Sequence, residues 1–263
     1  MKVSKHQIES GLLSFYCRLI YFFLYFPIVI LVVFSFNRER INAKWTGFTF
    51  YWYKILLSDS DLLLSLKNSV VIAFFSTIVS TVLGTCAAFA MHRFRFSGRN
   101  FFDAILHLPI IIPDIVMAIA LLSFFVLIHL RLGLTSVIIA HITFNIAFVA
   151  IVVRARLHDF DIELEEAAMD LGATKFQAFL KITVPLTMPG ILAGALLAFT
   201  LSFDDFLIAF FTAGVGSTTL PLKVYSMVKF GVSPEINAIS AITLLITFIL
   251  IFIAQKLQRV TTI

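Results

Sequence analysis

The sequence predicts an all-α polytopic membrane protein with six transmembrane helices. Three observations carry that expectation. Hydrophobic residues make up 60% of the 263 residues and charged ones 13%, inverting the about 45–50% apolar and about 25% charged of a soluble domain. Mean hydropathy is +1.01, and 30 residues are Phe. Runs of about 20 apolar residues, enough to cross a hydrocarbon core of about 30 Å, recur along the chain. A soluble enzyme, a disordered chain and a secreted disulfide scaffold are excluded. Cys17 and Cys86 both lie in apolar runs and offer neither a disulfide framework nor a zinc site.

The spans are expected over residues 19–37, 68–91, 101–130, 132–153, 186–211 and 236–254, within a single membrane domain over 1–263. The first contains Pro27, a kink site, and follows Lys2 and Lys5 without a small-residue cleavage site, so it reads as an uncleaved anchor. The second is free of charge, and Ser76, Ser80, Gly84, Ala87 and Ala88 allow close helix approach. Pro109, Pro113 and Asp114 interrupt the third. His141 and Asn145 are the polar members of the fourth and read as bonds between helices. The fifth stays uncharged until Asp204 and Asp205, and the sixth carries no ionisable group.

Arg93, Arg95 and Arg99 fill the short turn after the second span, Lys2, Lys5 and Arg18 the amino-terminal end, and Lys256 and Arg259 the other end. With six spans these segments share one side, which the positive-inside rule makes cytoplasmic. Arg38, Arg40, Lys44, Lys54 and Lys67 fall on the opposite side and weaken the bias. The net charge of +5 follows from such loops and does not point to nucleic acid, since no basic patch interleaves with exposed aromatics. The outer loop holds Trp45, Phe48, Phe50, Tyr51, Trp52 and Tyr53, read as an interfacial belt, with ligand contact as the alternative.

The 154–185 loop holds six of the fifteen acidic residues: Asp159, Asp161, Glu163, Glu165, Glu166 and Asp170. Leu164, Ala167, Ala168 and Leu171 are spaced to share one face of a short helix. Gly172 follows where a helix stop favours positive φ. Thr174 to Gln177 reads as a capping box opening a second helix with Phe176, Phe179, Leu180 and Ile182 on its apolar side, closed by Pro185. Helices that lie on lipid are typically basic, so an acidic helix with an alanine–leucine face fits a protein groove better than a membrane surface.

Glu166-Ala167-Ala168, three residues, Gly172, nine residues and Ile182-Thr183-Val184-Pro185 resemble the EAA loop of ABC-importer permeases, departing only at Val184, where leucine is usual. The resemblance implies a type I ABC importer permease in which Glu166, Ala167, Ala168 and Gly172 belong to a coupling helix seated on an ATP-hydrolysing subunit. The chain has no Gly-Lys dipeptide and hence no phosphate-binding loop of its own. ATP and Mg are expected on the partner ATPase, with no cofactor and no metal in this chain.

Acidic residues inside spans face a cavity or a partner by default, because a mid-bilayer carboxylate costs about 2.5–3.5 kcal/mol. Asp114 lies about 13 residues beyond Phe101, which at about 1.5 Å each puts it about 20 Å deep, near the middle of the bilayer. Asp204 and Asp205 lie about 18 residues beyond Leu186, about 27 Å along and toward the outer side. Consecutive residues on a helix point about 100° apart, so one of the two faces the pathway and its neighbour pairs with another helix. With Phe203 and Phe206 beside them, these carboxylates suit a cation and repel anions. Their alternative role is to bond neighbouring helices or cap helix breaks.

Trp45-Thr46-Gly47-Phe48-Thr49 with Trp52-Tyr53, Pro113 to Ala118, Leu220 to Lys229 and Gly231 to Ala238 resemble the spermidine/putrescine importer permeases, a likeness running from about Tyr21 to the last span. It implies a bacterial inner-membrane location, a second similar permease, an ATPase dimer, an extracytoplasmic polyamine-binding protein and a polyamine substrate. Against it stand an ion-coupled carrier, which lacks a use for an EAA loop, and an intramembrane enzyme, for which one adjacent aspartate pair supplies too few metal ligands.

Overall fold

The computed structural model describes residues 5–39, 44–158, 160–229, 231 and 233–260. Lys2, Arg40, Asp159 and Val232 lie outside them, as do the side chains of Lys5, Lys256 and Arg259. Among the described residues the regular elements are helices, with one isolated antiparallel bridge between Asn37 and Phe48. The chain divides into two compact units, Met1–Ser60 with Val224–Ile246, and Asp61–Lys223 with Thr247–Ile263.

In the first unit α1 (Lys5–Phe34) carries the apolar stretch Leu13–Phe34, and Pro27 sits inside it without ending it. Every residue from Leu13 to Ile30 is exposed, as a lipid- or partner-facing helix requires. The loop that follows is organised by the buried Asn37. Its amide donates to the Lys44 carbonyl at 2.8 Å, its Oδ1 accepts from the Thr46 N–H at 3.0 Å, and its backbone carbonyl accepts from Trp52 Nε1 at 2.7 Å. Phe36 stacks on Phe48 and on Tyr53, and Phe50 meets Phe36 edge-on. Trp52, on α2 (Tyr51–Ser58), is therefore a core residue and not a member of the belt, whereas Trp45, Phe48, Phe50 and Tyr51 stay exposed.

The second unit holds α3 (Ser60–Arg93), α4 (Arg99–Ile111), α5 (Asp114–Leu127), α6 (Leu134–His158), α7 (Glu163–Asp170), α8 (Lys175–Ala178), α9 (Val184–Asp204) and α10 (Leu207–Thr212). Small residues bring its long helices together. Ser76, Ser80, Gly84 and Ala88, one per turn, are buried along α3. A Cβ on Gly84 would lie 2.7 Å from Val149 Cβ, and one on Gly190 would lie 2.6 Å from Arg156 Cβ, so α6 touches both α3 and α9 at backbone distance. Ala88, Val149, Val153, Leu157 and Ala198 fill one part of the core, and Ala118, Phe125, Ala140, Phe144 and Ile208 another. The remaining helices are α11 (Leu220–Lys229) and α12 (Pro234–Val260).

Several expected boundaries move. The second span begins at Ser60, which puts Lys67 inside α3 and not in the preceding loop. The third is a pair of helices, α4 and α5, bent by 112° at Ile112–Pro113, so a straight rise of about 1.5 Å per residue no longer measures the depth of Asp114. The fifth starts inside the loop: α8 runs through a π-helical turn, Phe179–Thr183, into α9, forming an apolar helix over Lys175–Asp204. Pro185 therefore does not close a helix. It stands in the first turn of α9, directly after the π turn, inside the continuing helix. That span also ends early, at Asp204, and α10 follows as a separate turn. Four helices are long and apolar enough to cross a membrane, and the bent pair makes a fifth. The apolar stretch Pro234–Ile249 belongs to α12, which runs on to Val260.

Candidate functional site

A cavity of about 410 Å³ opens where two helix breaks meet in the second unit. One is the bend between α4 and α5, with Pro113 as N-cap and Asp114 as the first residue of α5, a favoured place for a carboxylate. The other is the gap between α9 and α10, where Asp205 is extended, at φ −65° and ψ 129°. Asp114, Asp204 and Asp205 all line the cavity, together with Phe144, Phe148, Phe206, Met117 and Thr200. Among the described residues no lysine or arginine lines it. Phe203, expected beside the aspartates, instead turns into the core and stacks on Phe199 at 6.1 Å.

The two neighbouring aspartates differ. Asp205 ends the helical register, and its carboxylate accepts from the Ala209 N–H at 2.8 Å and the Ile208 N–H at 3.4 Å, capping α10. Its Oδ2 also lies 3.3 Å from His141 Nε2 on α6. The 100° separation argued for a continuous helix does not apply, because the pair straddles the end of one. Asp204 is exposed and stands at the last position of α9. Buried His141 bonds Ser202 on α9, as an interhelical contact should. Asn145, one turn on and equally buried, does not: neither of its amide atoms has a hydrogen-bond partner among the described residues.

The 154–185 loop forms as its local chemistry dictates. Gly172 has φ +91°, its N–H bonds the Met169 carbonyl at 2.9 Å, and the Ala173 N–H reaches the Ala168 carbonyl at 3.0 Å. This is the Schellman ending of α7. The Thr174 hydroxyl accepts from the Gln177 N–H at 3.2 Å, and the Gln177 side chain accepts from the Thr174 N–H at 2.9 Å, completing the capping box. Leu164, Glu166, Ala167, Leu171 and Gly172 are exposed, with Leu171 at 90%, so α7 presents its apolar edge outward.

Sequence reasoning missed what fastens this loop. Glu165 is 3% exposed and pairs with Arg93 at the end of α3, while the Thr183 hydroxyl in the π turn donates to it. The Arg93 guanidinium also lies over the Phe179 ring, 5.9 Å from its centre. Glu165 reads in the sequence as one carboxylate in an acidic run, with no local signal that its side of α7 is covered. The pair also puts the turn after α3 and the 154–185 loop at the same end of the helices, as the alternation of spans requires. A second pair, Arg154 with Asp103, ties α6 to α4 nearby.

Residues 80–261 match the family described as binding-protein-dependent transport system inner membrane component. The chain belongs to that family. It is therefore a multi-pass membrane permease, and the long apolar helices agree. The chain is 44% identical over 240 residues, 91% of each chain, to the spermidine/putrescine transport system permease protein PotC of Escherichia coli strain K12. It is 42% identical over 243 residues, 90% of this chain and 86% of the other, to the putrescine transport system permease protein PotI of the same organism. Among solved structures, a bacterial ABC transporter involved in the import of the acidic polysaccharide alginate aligns over 97% of this permease and 99% of that chain, with a TM-score of 0.75 and 20% identity. The MetNI methionine ABC transporter, in inward-facing conformations, aligns over 81% of this permease and 99% of that chain, at a TM-score of 0.63 and 18% identity. These structures share the fold of ABC importer permeases, the class that the EAA-type spacing implies.

Proposed function

We propose that this permease is a subunit of an ATP-driven polyamine importer, carrying spermidine or putrescine across a bacterial inner membrane by alternating access. The observation that carries the reading is the cavity: three carboxylates and three phenylalanine rings converge in one space, with no lysine or arginine on its wall among the described residues. Such a lining attracts an ammonium chain, because carboxylates pair with it and aromatic faces draw cations where water is scarce. It repels the acidic polysaccharide of the alginate transporter, so the shared fold does not extend to a shared cargo. The names of the relatives at 44% and 42% identity agree with a polyamine.

Energy comes from a separate ATPase dimer with its own ATP and Mg, since this permease has no phosphate-binding loop. The exposed edge of α7, with Glu166, Ala167, Ala168 and Gly172, is the face on which one ATPase docks. A second, similar permease completes the pore, and a soluble binding protein delivers the polyamine from outside. Both termini lie in the cytoplasm, on the side of the arginine-rich turn after α3. Asp114 and Asp204 hold the cargo in the cavity, weakly enough for it to leave inward.

Uptake of labelled spermidine into proteoliposomes holding the complete assembly tests the reading. Asp114→Asn removes charge with little change of shape, and it is expected to lower ATP-dependent uptake at least about tenfold with the complex intact. Unchanged uptake would remove Asp114 from the pathway. A wild-type assembly that hydrolyses ATP but moves no spermidine would end the polyamine assignment.

A further inference from the structure

We propose that His141 is a positioning residue that fastens Asp205 and thereby leaves Asp204 as the cargo-facing member of the pair. The inference rests on the cavity reading above and concerns how its wall is built. His141 is fully buried, and its Nδ1 lies 2.6 Å from Ser202 Oγ, which in turn lies 2.9 Å from Ser76 Oγ. Its Nε2 is buried with no aligned hydrogen bond, yet it sits 3.3 Å from Asp205 Oδ2. The ring packs edge-on against Phe144, a cavity-lining residue, at 5.5 Å.

Donor and acceptor accounting decides which nitrogen carries hydrogen. A neutral ring protonated on Nδ1 would point the bare Nε2 lone pair at a carboxylate, which is repulsive. A neutral ring protonated on Nε2 carries its hydrogen on the nitrogen that lies 3.3 Å from Asp205, and its Nδ1 accepts from the Ser202 hydroxyl, which accepts from Ser76. An imidazolium keeps the same hydrogen on Nε2. Its Nδ1–H then donates to Ser202, Ser202 to Ser76, and Ser76 to the Ala73 carbonyl at 3.2 Å. The two hydroxyls reverse direction to suit either charge, so the permitted states share an Nε2–H beside the Asp205 carboxylate.

The consequence is a difference between neighbouring carboxylates. Asp205 is held by the two N–H groups at the start of α10 and by His141, whereas no hydrogen bond or ion pair engages Asp204 among the described residues. The chain of four side chains joins α3, α6, α9 and the cap of α10, and so sets where the α9–α10 break sits against the helices around it. Without the His141 contact Asp205 keeps only its cap, and the neighbouring Asp204 loses a defined position.

The test uses the complete assembly in proteoliposomes, with spermidine uptake normalised to assembled complex. His141→Gln places an amide donor near the position of Nε2 and is expected to keep Vmax/KM within about twofold of wild type. His141→Asn mimics only the Nδ1 side and is expected to lose about tenfold or more, as loss of a charge-assisted hydrogen bond implies. Wild-type behaviour of His141→Asn, or equal loss in both variants, would overturn the proposal, because packing alone would then account for His141. A second readout needs no cargo. With isotope-labelled histidine nitrogen, NMR should show a protonated Nε2 that disappears in His141→Asn and shifts in Asp205→Asn but not in Asp204→Asn. A resonance indifferent to Asp205→Asn would overturn the proposal as well. Should the wild type import no spermidine, the polyamine reading falls while the NMR result alone decides the role of His141.

Discussion

The pairing of Glu165 with Arg93 makes an asymmetric prediction. Glu165 is nearly enclosed, with its side chain 4% exposed, whereas Arg93 is 33% exposed. Replacing Arg93 with Met strands a carboxylate that retains only the Thr183 hydroxyl. Removing one partner of a buried pair costs about 3–5 kcal/mol. The partial exposure of Arg93 screens part of that interaction, which brings the expected cost to about 2–4 kcal/mol. Replacing Glu165 with Gln leaves the guanidinium to turn toward water and over the Phe179 ring, at a cost of about 1 kcal/mol. Because α7 is short and α3 holds it through this contact, the penalty should appear as local opening of α7 before any global loss. Hydrogen exchange read by mass spectrometry on the assembled complex measures it directly. The α7 amides should exchange roughly 30- to 1,000-fold faster in Arg93→Met, about fivefold faster in Glu165→Gln, and at an intermediate rate in the double variant, which no longer buries an unpaired charge. Equal effects of the two single changes, or an unchanged α7 in Arg93→Met, would refute the claim that this buried pair holds the loop.

Three further outcomes are expected. Gly190→Ala would place its Cβ 2.6 Å from Arg156 Cβ and force α6 and α9 apart, costing about 1–3 kcal/mol as a lowered thermal midpoint of the assembled complex; an unshifted midpoint would show that this crossing yields freely. Gly172→Ala puts a Cβ at φ +91° and should cost about 1 kcal/mol, with Gly172→Asn milder, both seen as faster exchange of the last α7 amides and weaker coupling of ATP hydrolysis to uptake. Asp204→Asn should reduce spermidine uptake at least about tenfold while leaving ATP hydrolysis by the assembly in place, and full uptake would remove Asp204 from the cargo path.

Local rules explain which parts were legible. The Schellman ending at Gly172 and the Thr174–Gln177 box involve residues within five positions of one another, so their side-chain chemistry is written in the order of residues. The alternation of charge-free runs likewise follows from the bilayer alone. Features whose backbone geometry depends on distant partners are not legible in this way. Pro185 read as a stop because a proline after an amphipathic stretch usually is one, and the π turn that admits it to a continuing helix has no reliable sequence signal. Trp52 read as part of a belt because nothing nearby reveals the Asn37 carbonyl, fifteen positions back, that takes its indole N–H.

Composition and local spacing by themselves determined that this protein crosses a membrane on several helices, carries a helix–glycine–helix loop between two of them, and places rare carboxylates within apolar runs. Those features depend on transfer free energy and on neighbours along the chain. Tertiary structure decided that Asp114, Asp204 and Asp205 share one cavity, that Asp205 serves as a helix cap while Asp204 stands open, and that Glu165 and His141 hold the parts in place. The physical reason is that a carboxylate acquires its role from the donors that reach it. His141 lies 61 positions from Ser202, and Asp103 lies 51 positions from Arg154, distances along the chain that only folding closes.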